Sequence, residues 1–220
     1  VDIAPSLLST GTLEDNGTCY QLTITSLGSI LRGPRTQGPT SMTQLIGTRI
    51  RQWRASTRVE CVEVRPDGPF GFLPGHVVTL AAGTAEPGYF AIGSAPCEGA
   101  TLRFYLRPGG EAADSVLAAV DGAKIRISGP IAHGFPLDGV AGKDLLFVGV
   151  GTGIAPLRSA LVEALLNRDR FGRLILVTGA TEPSALCCSN EFEAWRAAGV
   201  EVLATVDEAG DTWAGGRGFV

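Results

Sequence analysis

The chain has 220 residues, which is enough for one large or two ordinary domains. Hydrophobic residues make up 45% and charged residues 18%, so a sizeable core can form. The formal net charge is −4 and there is no basic run, which argues against nucleic acid as a main partner. No apolar stretch reaches the roughly 18 residues that a membrane-spanning helix needs.

Residues 1–41 are rich in Ser, Thr and Gly and lack periodicity. We interpret them as an N-terminal extension that is disordered or not native to the protein, since Met42 is the only methionine. A targeting segment is the alternative, and it would place the protein in an organelle such as a plastid. The acidic residues Asp2, Glu14 and Asp15 disfavour a transit peptide.

From residue 42 onward the pattern becomes β, with apolar and polar residues in partial alternation and closely spaced turns. The predicted elements are strands at 46–57, 58–65, 76–81, 89–94, 101–106 and 124–128, and a short helix at 112–120. Several short strands at this spacing indicate a barrel, here a six-stranded Greek key over residues 42–141.

After residue 142 strands and helices alternate. We predict strands at 145–150, 174–179 and 200–206, and helices at 155–167 and 190–198. This alternation indicates a parallel sheet with right-handed crossovers, in a second domain over residues 142–220. The chain stops at Val220, where a new element begins, so we expect this α/β domain to be C-terminally truncated.

The most informative motif opens the second domain, where a buried strand meets Gly149, Gly151 and Gly153 before a helix. A strand, a glycine turn and a helix present backbone N–H groups to a phosphate, and glycines let a pyrophosphate approach. Pro156 fits the first helical turn, where its missing N–H costs nothing. An ordinary tight strand-to-helix connection is the alternative.

Five cysteines lie at positions 19, 61, 97, 187 and 188, and none forms a C-x-x-C pair. This spacing suits neither zinc nor an iron–sulfur cluster, and we predict no metal site. An odd number of cysteines without a framework spacing favours a reducing compartment, hence a cytoplasmic location. We interpret each cysteine as a small packed hydrophobe.

The order of these motifs resembles the ferredoxin–NADP reductase superfamily. The glycine turn reads G-x-G-x-G-x-x-P, the segment 129–137 reads GPIAHGFPL, and 72–76 reads FLPGH. Segment 72–76 is similar to the family's entry to its third strand. Segment 129–137 is similar to electron-transfer subunits of dihydroorotate dehydrogenase and of hydrogenase-type reductases, and 89–96 to a plant branch of FAD/NAD(P)-binding oxidoreductases. The resemblance implies a flavin on the barrel, a nicotinamide nucleotide on the α/β domain, and hydride transfer between them.

The resemblance also implies two sets of cofactor-binding residues. For FAD, which the GPIAHGFPL segment favours over FMN, these are Phe90, Ala91, Ile92, Gly93, Ser94, Leu106, Gly110, Ala112, Ala113, Gly129, His133, Gly134 and Phe135. For NAD(P)H they are Gly149, Gly151, Thr152, Gly153, Ile154, Pro156, Gly179, Thr181 and Glu182. No catalytic acid or base is assigned, because aligning two bound rings needs none.

The chain departs from the family's R-x-Y-S flavin signature. Gly88 stands in place of the arginine, Phe90 in place of the tyrosine and Ala91 in place of the serine. Ala113 stands where relatives carry a phosphate-binding Ser or Thr. Backbone amides at the start of helix 112–120 and in 129–134 remain available for a pyrophosphate, so flavin binding is expected to weaken rather than disappear.

The segment after the second α/β strand predicts the choice of nicotinamide cofactor. Thr181 stands where many relatives have arginine, and Glu182 would repel a 2′-phosphate but could accept a hydrogen bond from a ribose hydroxyl. This favours NADH over NADPH. Arg173 just before the strand is the one counter-argument, and a surface arginine is the alternative interpretation.

Together these features predict a flavin-dependent oxidoreductase that takes a hydride from NAD(P)H and passes electrons to an unidentified acceptor or partner protein. Two alternatives stay open. The chain could be a degenerate module that binds a nucleotide without electron transfer, as the missing arginine and serine suggest. It could also be the electron-transfer subunit of a larger complex.

Overall fold

Two six-stranded sheets make up the fold of this chain, for which we have a computed structural model. The structure describes residues 11–15, 18–26, 43–131 and 133–220, with side chains from residue 43 onward. The elements in chain order are β1 (Gly11–Asp15), β2 (Thr18–Ser26), β3 (Thr43–Ser56), β4 (Val59–Pro66), β5 (Val77–Ala82), β6 (Gly88–Ala91), β7 (Leu102–Leu106), α1 (Glu111–Ala118), β8 (Lys124–Ile131), β9 (Leu145–Val150), α2 (Ile154–Leu166), β10 (Leu174–Ala180), α3 (Phe192–Ala197), β11 (Val200–Val206) and β12 (Gly216–Arg217).

Strands β3 to β8 form an antiparallel sheet in the order β6-β5-β8-β3-β4-β7. Its edge strands β6 and β7 contact each other, which closes the sheet into a near-barrel. The side chains on its inner face form one core, in which Val62, Leu80, Phe104 and Ile125 are fully buried. The predicted six-stranded barrel is therefore confirmed.

Strands β9 to β12 form a parallel sheet, with α2 connecting β9 to β10 and α3 preceding β11. The sheet and its helices bury a second core around Phe147, Leu157, Leu161 and Leu176. The predicted α/β half is confirmed, and the strand bounds at 145–150 and 200–206 match. The first is readable from a near-continuous apolar run, and the second from apolar residues at alternate positions, which are the buried ones.

The strand that follows β5 is shorter than the predicted 89–94. Strand β6 ends at Ala91, because the Ile92 amide then donates to the His76 carbonyl at 2.9 Å and the Gly93 amide to the Arg103 carbonyl at 2.7 Å. The chain thereby leaves the pairing with β5 and turns toward β7.

Two helix predictions also need correction. Helix α1 covers Glu111–Ala118 rather than 112–120, because Ala119 is already extended, with φ −65° and ψ 146°. Helix α3 covers Phe192–Ala197 rather than 190–198. A short 3-10 turn precedes it, and Cys188 at φ +62° interrupts the helical path. Neither conformation leaves a signal in the apolar periodicity.

Strands β1 and β2 lie in the segment that we interpret as an N-terminal extension. Strand β2 pairs antiparallel with β9, placing Thr23 opposite Val148 and Ser26 opposite Leu145. The rest of 1–42 lies outside the described residues, so the division of the chain into 1–41, 42–141 and 142–220 stays a prediction. Across the described residues, none of the helices has the length and apolar character needed to cross a membrane.

Candidate functional site

The glycine turn between β9 and α2 has open backbone at two of its three glycines. Gly151 has φ +55°, and a Cβ added at Gly151 or Gly153 would meet no heavy atom of the described residues within 4 Å. At Gly149 an added Cβ would lie 2.6 Å from Leu157 Cδ1. Gly149 therefore lets α2 pack on β9, whereas Gly151 and Gly153 leave room for a phosphate group.

Helix α2 directs its positive end toward this open turn. The Ile154 amide donates to the carbonyls of Gly151 and Thr152 and so closes the turn into the helix. Pro156 is buried in the first helical turn, and this turn of the fully described helix carries no acidic side chain. The turn thus fits the pyrophosphate of a nicotinamide nucleotide, both in space and in charge.

The segment after β10 is held in place from two sides. Thr57, in the turn between β3 and β4, donates its hydroxyl to Glu182 Oε1 at 3.4 Å and its amide to the Ser184 carbonyl at 3.0 Å. The Glu208 amide donates to the Thr181 carbonyl at 2.7 Å. The Thr181 side chain is exposed and Glu182 is half-buried. Thr57 has no local sequence signal and was missed by the sequence analysis.

Gly179 lies at the end of β10, directly beside the next strand. An added Cβ there would come within 2.5 Å of Val220 Cγ2 and 3.3 Å of the Thr205 carbonyl oxygen. Arg173 lies before the other end of β10, where its Nε and NH2 groups are each 2.9 Å from Asp144 Oδ2. Strand β10 therefore separates Arg173 from Thr181, and Arg173 is not placed to meet a phosphate beside Thr181.

On the barrel, β6 and the start of α1 lie against each other. A Cβ added at Gly88 would be 2.7 Å from Ala112 Cβ and 3.3 Å from the Phe90 ring. Phe90 is half-buried and packs on the barrel core, while its neighbour Tyr89 is 62% exposed. Phe90 and the half-buried Ala91 therefore border a surface beside the N-terminus of α1.

The start of α1 has features that favour anion binding and features that oppose it. Gly109 and Gly110 have open backbone, since an added Cβ at either would meet nothing within 4 Å among the described residues. Glu111 and Asp114 lie in the first turn, and Asp114 Oδ1 accepts from the Gly109 amide at 2.9 Å. The open backbone and the Phe90 ring fit a flavin, whereas these two carboxylates oppose the charge of its pyrophosphate.

The segment 129–135 folds back onto the loop before β5. Gly134 has φ +59°, and a Cβ there would lie 2.7 Å from the Pro74 carbonyl oxygen. The Phe135 amide donates to that carbonyl at 2.6 Å, and its ring covers Gly75. Gly129 precedes a cis peptide bond to Pro130, and residue 132 lies outside the described residues.

His76 is a buried histidine within this arrangement. Its side chain Nδ1 accepts from the Leu73 amide at 2.9 Å, and the residue is 5% exposed. Burial, and then the charge of the nearby His133, lower the pKa of His76. His76 is thus neutral near pH 7, with Nε2 as the protonated nitrogen facing Gly134. His133 itself is exposed.

Several residues expected near a flavin are enclosed by protein. Ile92 and Leu106 are fully buried in the barrel core, and Ala113 is 5% exposed. Gly93 and Ser94 contact the other half of the molecule, through their carbonyl oxygens, which accept from Arg158 NH1 and Ser159 Oγ, each at 2.7 Å. The structure brings Phe90, Ala91, Ala112 and the backbone of Gly110 to one surface. The enclosed residues are not exposed at this surface.

A polar cavity of about 450 Å³ lies between the barrel and the α/β half. The cavity is lined by Arg51, Trp53, Ala55, Arg103, Tyr105, Arg158, Asn190 and Glu191. Arg51 and Arg103 stack on Trp53, with Cζ 4.8 and 5.4 Å from its ring. Sequence reasoning missed this cavity, because its lining comes from strands and helices far apart in the chain.

The buried thiols behave as packed hydrophobes. Cys61, Cys187 and Cys188 are each at most 3% exposed, and burial raises the pKa of the Cys61 thiol. Cys97 departs from the prediction, because it is exposed. Partial burial and the neighbouring Glu163 carboxylate raise its pKa to about 11. The side chain of Cys19 lies outside the described residues.

Comparison with known proteins finds similarity to oxidoreductases. Residues 147–220 match the oxidoreductase NAD-binding domain. The chain is 30% identical over 125 residues to sulfhydrogenase 1 subunit gamma of Pyrococcus furiosus, covering 57% of this chain and 43% of that protein. It is 32% identical over 151 residues to ferredoxin–NADP reductase B of Sorangium cellulosum, covering 66% of this chain and 59% of that protein.

Solved structures agree with this relationship at the level of the fold. A cytochrome P450 reductase of Amycolatopsis superposes with a TM-score of 0.70 at 23% identity, over 87% of this chain and 59% of the other. The chain spans about half the length of the curated relatives that it matches. The barrel, the parallel sheet and these matches show the two-domain fold of ferredoxin–NADP reductase-like proteins, with an oxidoreductase NAD-binding domain at residues 147–220.

Proposed function

We propose that this chain is an NAD(P)H-dependent flavin oxidoreductase that passes electrons from a nicotinamide nucleotide to a further acceptor. The observation that carries the proposal is the open turn at Gly151 and Gly153, on a helix start without acidic side chains. A barrel surface bordered by Phe90 and α1 supports it as the flavin side.

The flavin, when bound, would accept a hydride and release electrons singly or in pairs. The chain's own residues would bind the flavin and orient its ring. The Phe90 ring offers an apolar face to a flat ring system, and the amide of Gly110 offers a donor to phosphate oxygens. We propose FAD rather than FMN because the GPIAHGFPL segment resembles that of FAD-binding relatives. The carboxylates of Glu111 and Asp114 predict weaker flavin binding than an uncharged helix start would give.

The α/β half would hold the nicotinamide nucleotide at the β9–α2 turn, with its adenosine toward Thr181 and Glu182. We propose NADH as the preferred donor, because Glu182 is held at this segment by Thr57 and would face a 2′-phosphate with a negative charge. Arg173 does not offset this charge, because its guanidinium is paired with Asp144 beyond the other end of β10.

Two relatives bear on the acceptor. One is named a ferredoxin–NADP reductase, and the other a subunit of a sulfhydrogenase. We therefore propose a ferredoxin-type or other protein acceptor, and keep as a second candidate a role as the electron-transfer subunit of a larger complex. Copurification of a stable partner with the protein from its native source would favour the second candidate.

The test is to purify the chain with excess FAD, remove free flavin and identify what stays bound after acid extraction. Bound FAD whose visible absorption bleaches on anaerobic addition of NADH supports the proposal. Retained FAD that NADH leaves unchanged would favour a degenerate nucleotide-binding module. Release of FMN alone would overturn the choice of flavin.

A further inference from the structure

Arg158 is a buried arginine whose five N–H groups all have partners. Its side chain is 3% exposed. NH1 and NH2 donate to the two carboxylate oxygens of Glu98 at 2.7 and 2.9 Å. Nε and NH2 donate to the two oxygens of Glu191 at 2.8 Å each, and NH1 also donates to the Gly93 carbonyl at 2.7 Å. The guanidinium therefore has one geometry in which every donor is used.

The charges around Arg158 are offset in part by a second arginine, Arg103, which also pairs with Glu63 at 3.1 Å. Burial alone would raise the pKa of Glu98, but the hydrogen bond and charge of Arg158 outweigh it and hold that pKa below its ordinary value. Two carboxylates around one guanidinium leave one negative charge, and Arg103 NH1 lies 3.7 Å from Glu191 Oε1. A buried ionic cluster adds little net stability compared with apolar packing, so its value lies in the arrangement it imposes.

The partners of Arg158 lie in both halves of the molecule. Gly93 and Glu98 belong to the barrel half, in the segment that follows β6, whereas Glu191 directly precedes α3. Next to Arg158, Ser159 Oγ donates to the Ser94 carbonyl at 2.7 Å. Glu98 is fixed in turn, because its Oε2 accepts from the Ala95 amide at 2.7 Å. One face of α2 is thus fastened to the segment 93–98.

This contact joins the two candidate cofactor surfaces through short stretches of chain. Arg158 is on the helix that begins at the open turn of Gly151 and Gly153. Gly93 comes two residues after the end of β6, the strand that carries Phe90. A shift of α2 against Gly93 therefore moves the nicotinamide turn relative to Phe90.

We propose that Arg158 is a positioning residue that sets the distance and angle between the flavin and nicotinamide sites. This inference rests on the proposed function, because it assigns Arg158 a role in hydride transfer. Transfer between two bound rings depends steeply on their separation, and a misplacement of about 1 Å costs on the order of a hundredfold in rate. Lysine at this position keeps the charge but cannot form the two bidentate pairs.

The test compares Arg158→Lys and Glu98→Gln with Arg54→Lys. Arg54 is a matched control, since its Nε pairs with Glu60 at 3.3 Å within the barrel half and its side chain is 73% exposed. Each protein, loaded with FAD, is mixed anaerobically with NADH in single turnovers. The saturating rate of flavin reduction and the apparent NADH dissociation constant are measured separately. Amide hydrogen exchange of residues 93–98 is followed in the same chains without cofactors.

We expect Arg158→Lys to lower the saturating rate by about ten- to a hundredfold. The apparent NADH dissociation constant should stay within about twofold, because no cofactor contact is removed. Glu98→Gln should also lower the saturating rate of flavin reduction, and both variants should speed amide exchange at 93–98. Arg54→Lys should match the wild type in all three measurements.

Two results would overturn the inference and are distinct from failure of the proposed function. An unchanged saturating rate with faster exchange would show that Arg158 only fastens the two halves. A loss confined to NADH affinity would make Arg158 a binding residue. If the wild-type chain loaded with FAD is not reduced by NADH at all, the proposed function fails and this role fails with it.

Discussion

Thr57 and Glu182 lie against each other across the two halves of the molecule, with the Thr57 hydroxyl 3.4 Å from Glu182 Oε1. The turn between β3 and β4 thereby fixes the segment that is proposed to contact the adenosine of the nicotinamide nucleotide. Cofactor choice in this chain is therefore expected to depend on the barrel half as well as on the α/β half.

Thr57→Val should weaken the preference for NADH. Valine keeps the shape of threonine but cannot donate to Glu182, so the carboxylate loses its fixed position. A hydrogen bond of this length contributes at most about 1 kcal/mol, so the kcat/KM ratio of NADH to NADPH should fall by up to about fivefold. Thr48→Val is the control, since Thr48 Oγ1 pairs with Asp67 at 3.1 Å on the barrel surface. A ratio that stays constant would show that Thr57 only docks the turn.

Thr181→Arg should narrow or reverse the preference for NADH. A guanidinium at this exposed position can pair with a 2′-phosphate in a bidentate manner and offset the charge of Glu182. The kcat/KM values for NADH and NADPH are the quantities to compare. A wild-type preference for NADPH would refute the argument from Glu182 and require a phosphate ligand elsewhere.

Gly153→Val should abolish nicotinamide binding and leave the fold intact. Gly153 has φ −61° and ψ −15°, which valine can adopt, and an added Cβ would meet no heavy atom of the described residues within 4 Å. The branched side chain would fill the space proposed for the pyrophosphate. Titration of the flavin-loaded variant with NADH, beside a thermal unfolding curve, checks both parts.

Gly149→Ala is the informative companion to Gly153→Val. Its added Cβ would lie 2.6 Å from Leu157 Cδ1, so the fully buried Leu157 side chain must shift, and we expect a loss of about 1–3 kcal/mol in the free energy of unfolding. If Gly149→Ala and Gly153→Val both lose NADH binding equally and neither loses stability, the packing role assigned to Gly149 is wrong.

Stability should fall at low pH in part through Glu98. Arg158 holds the pKa of Glu98 below its ordinary value of 4.5, so the folded state binds this proton less readily than the unfolded state. The stabilisation is therefore fully present above pH 4.5 and is lost as the pH falls through the folded-state pKa. Urea unfolding between neutral and acidic pH should show a smaller loss in Glu98→Gln than in the wild type. An identical pH dependence in both proteins would contradict this.

The sequence predicts the elements of the fold well, because burial and periodicity are local signals. The strand at 145–150 and the glycine turn after it are found where the apolar run and glycines place them. The surface that Phe90 shares with α1 is harder to predict from local signals, because it depends on how Gly88 packs against Ala112.

The contacts between the two halves could not be predicted. Arg158 and Glu98 are 60 positions apart, and Thr57 and Glu182 are 125 positions apart. Neither pair leaves a motif, because an arginine on a helix and a threonine in a turn are both typical of solvated surfaces. Arg158 becomes buried and paired with carboxylates only because α2 packs against the segment after β6.

The most direct test of the account is an anaerobic titration of the FAD-loaded chain with NADH, run beside Gly153→Val. We expect the wild-type flavin to be fully reduced by one equivalent of NADH. The variant flavin should stay oxidised with NADH but be reduced by dithionite. A wild-type flavin that only dithionite reduces would contradict the proposed hydride transfer. A Gly153→Val variant that NADH reduces as fully as the wild type would contradict nucleotide binding at this turn.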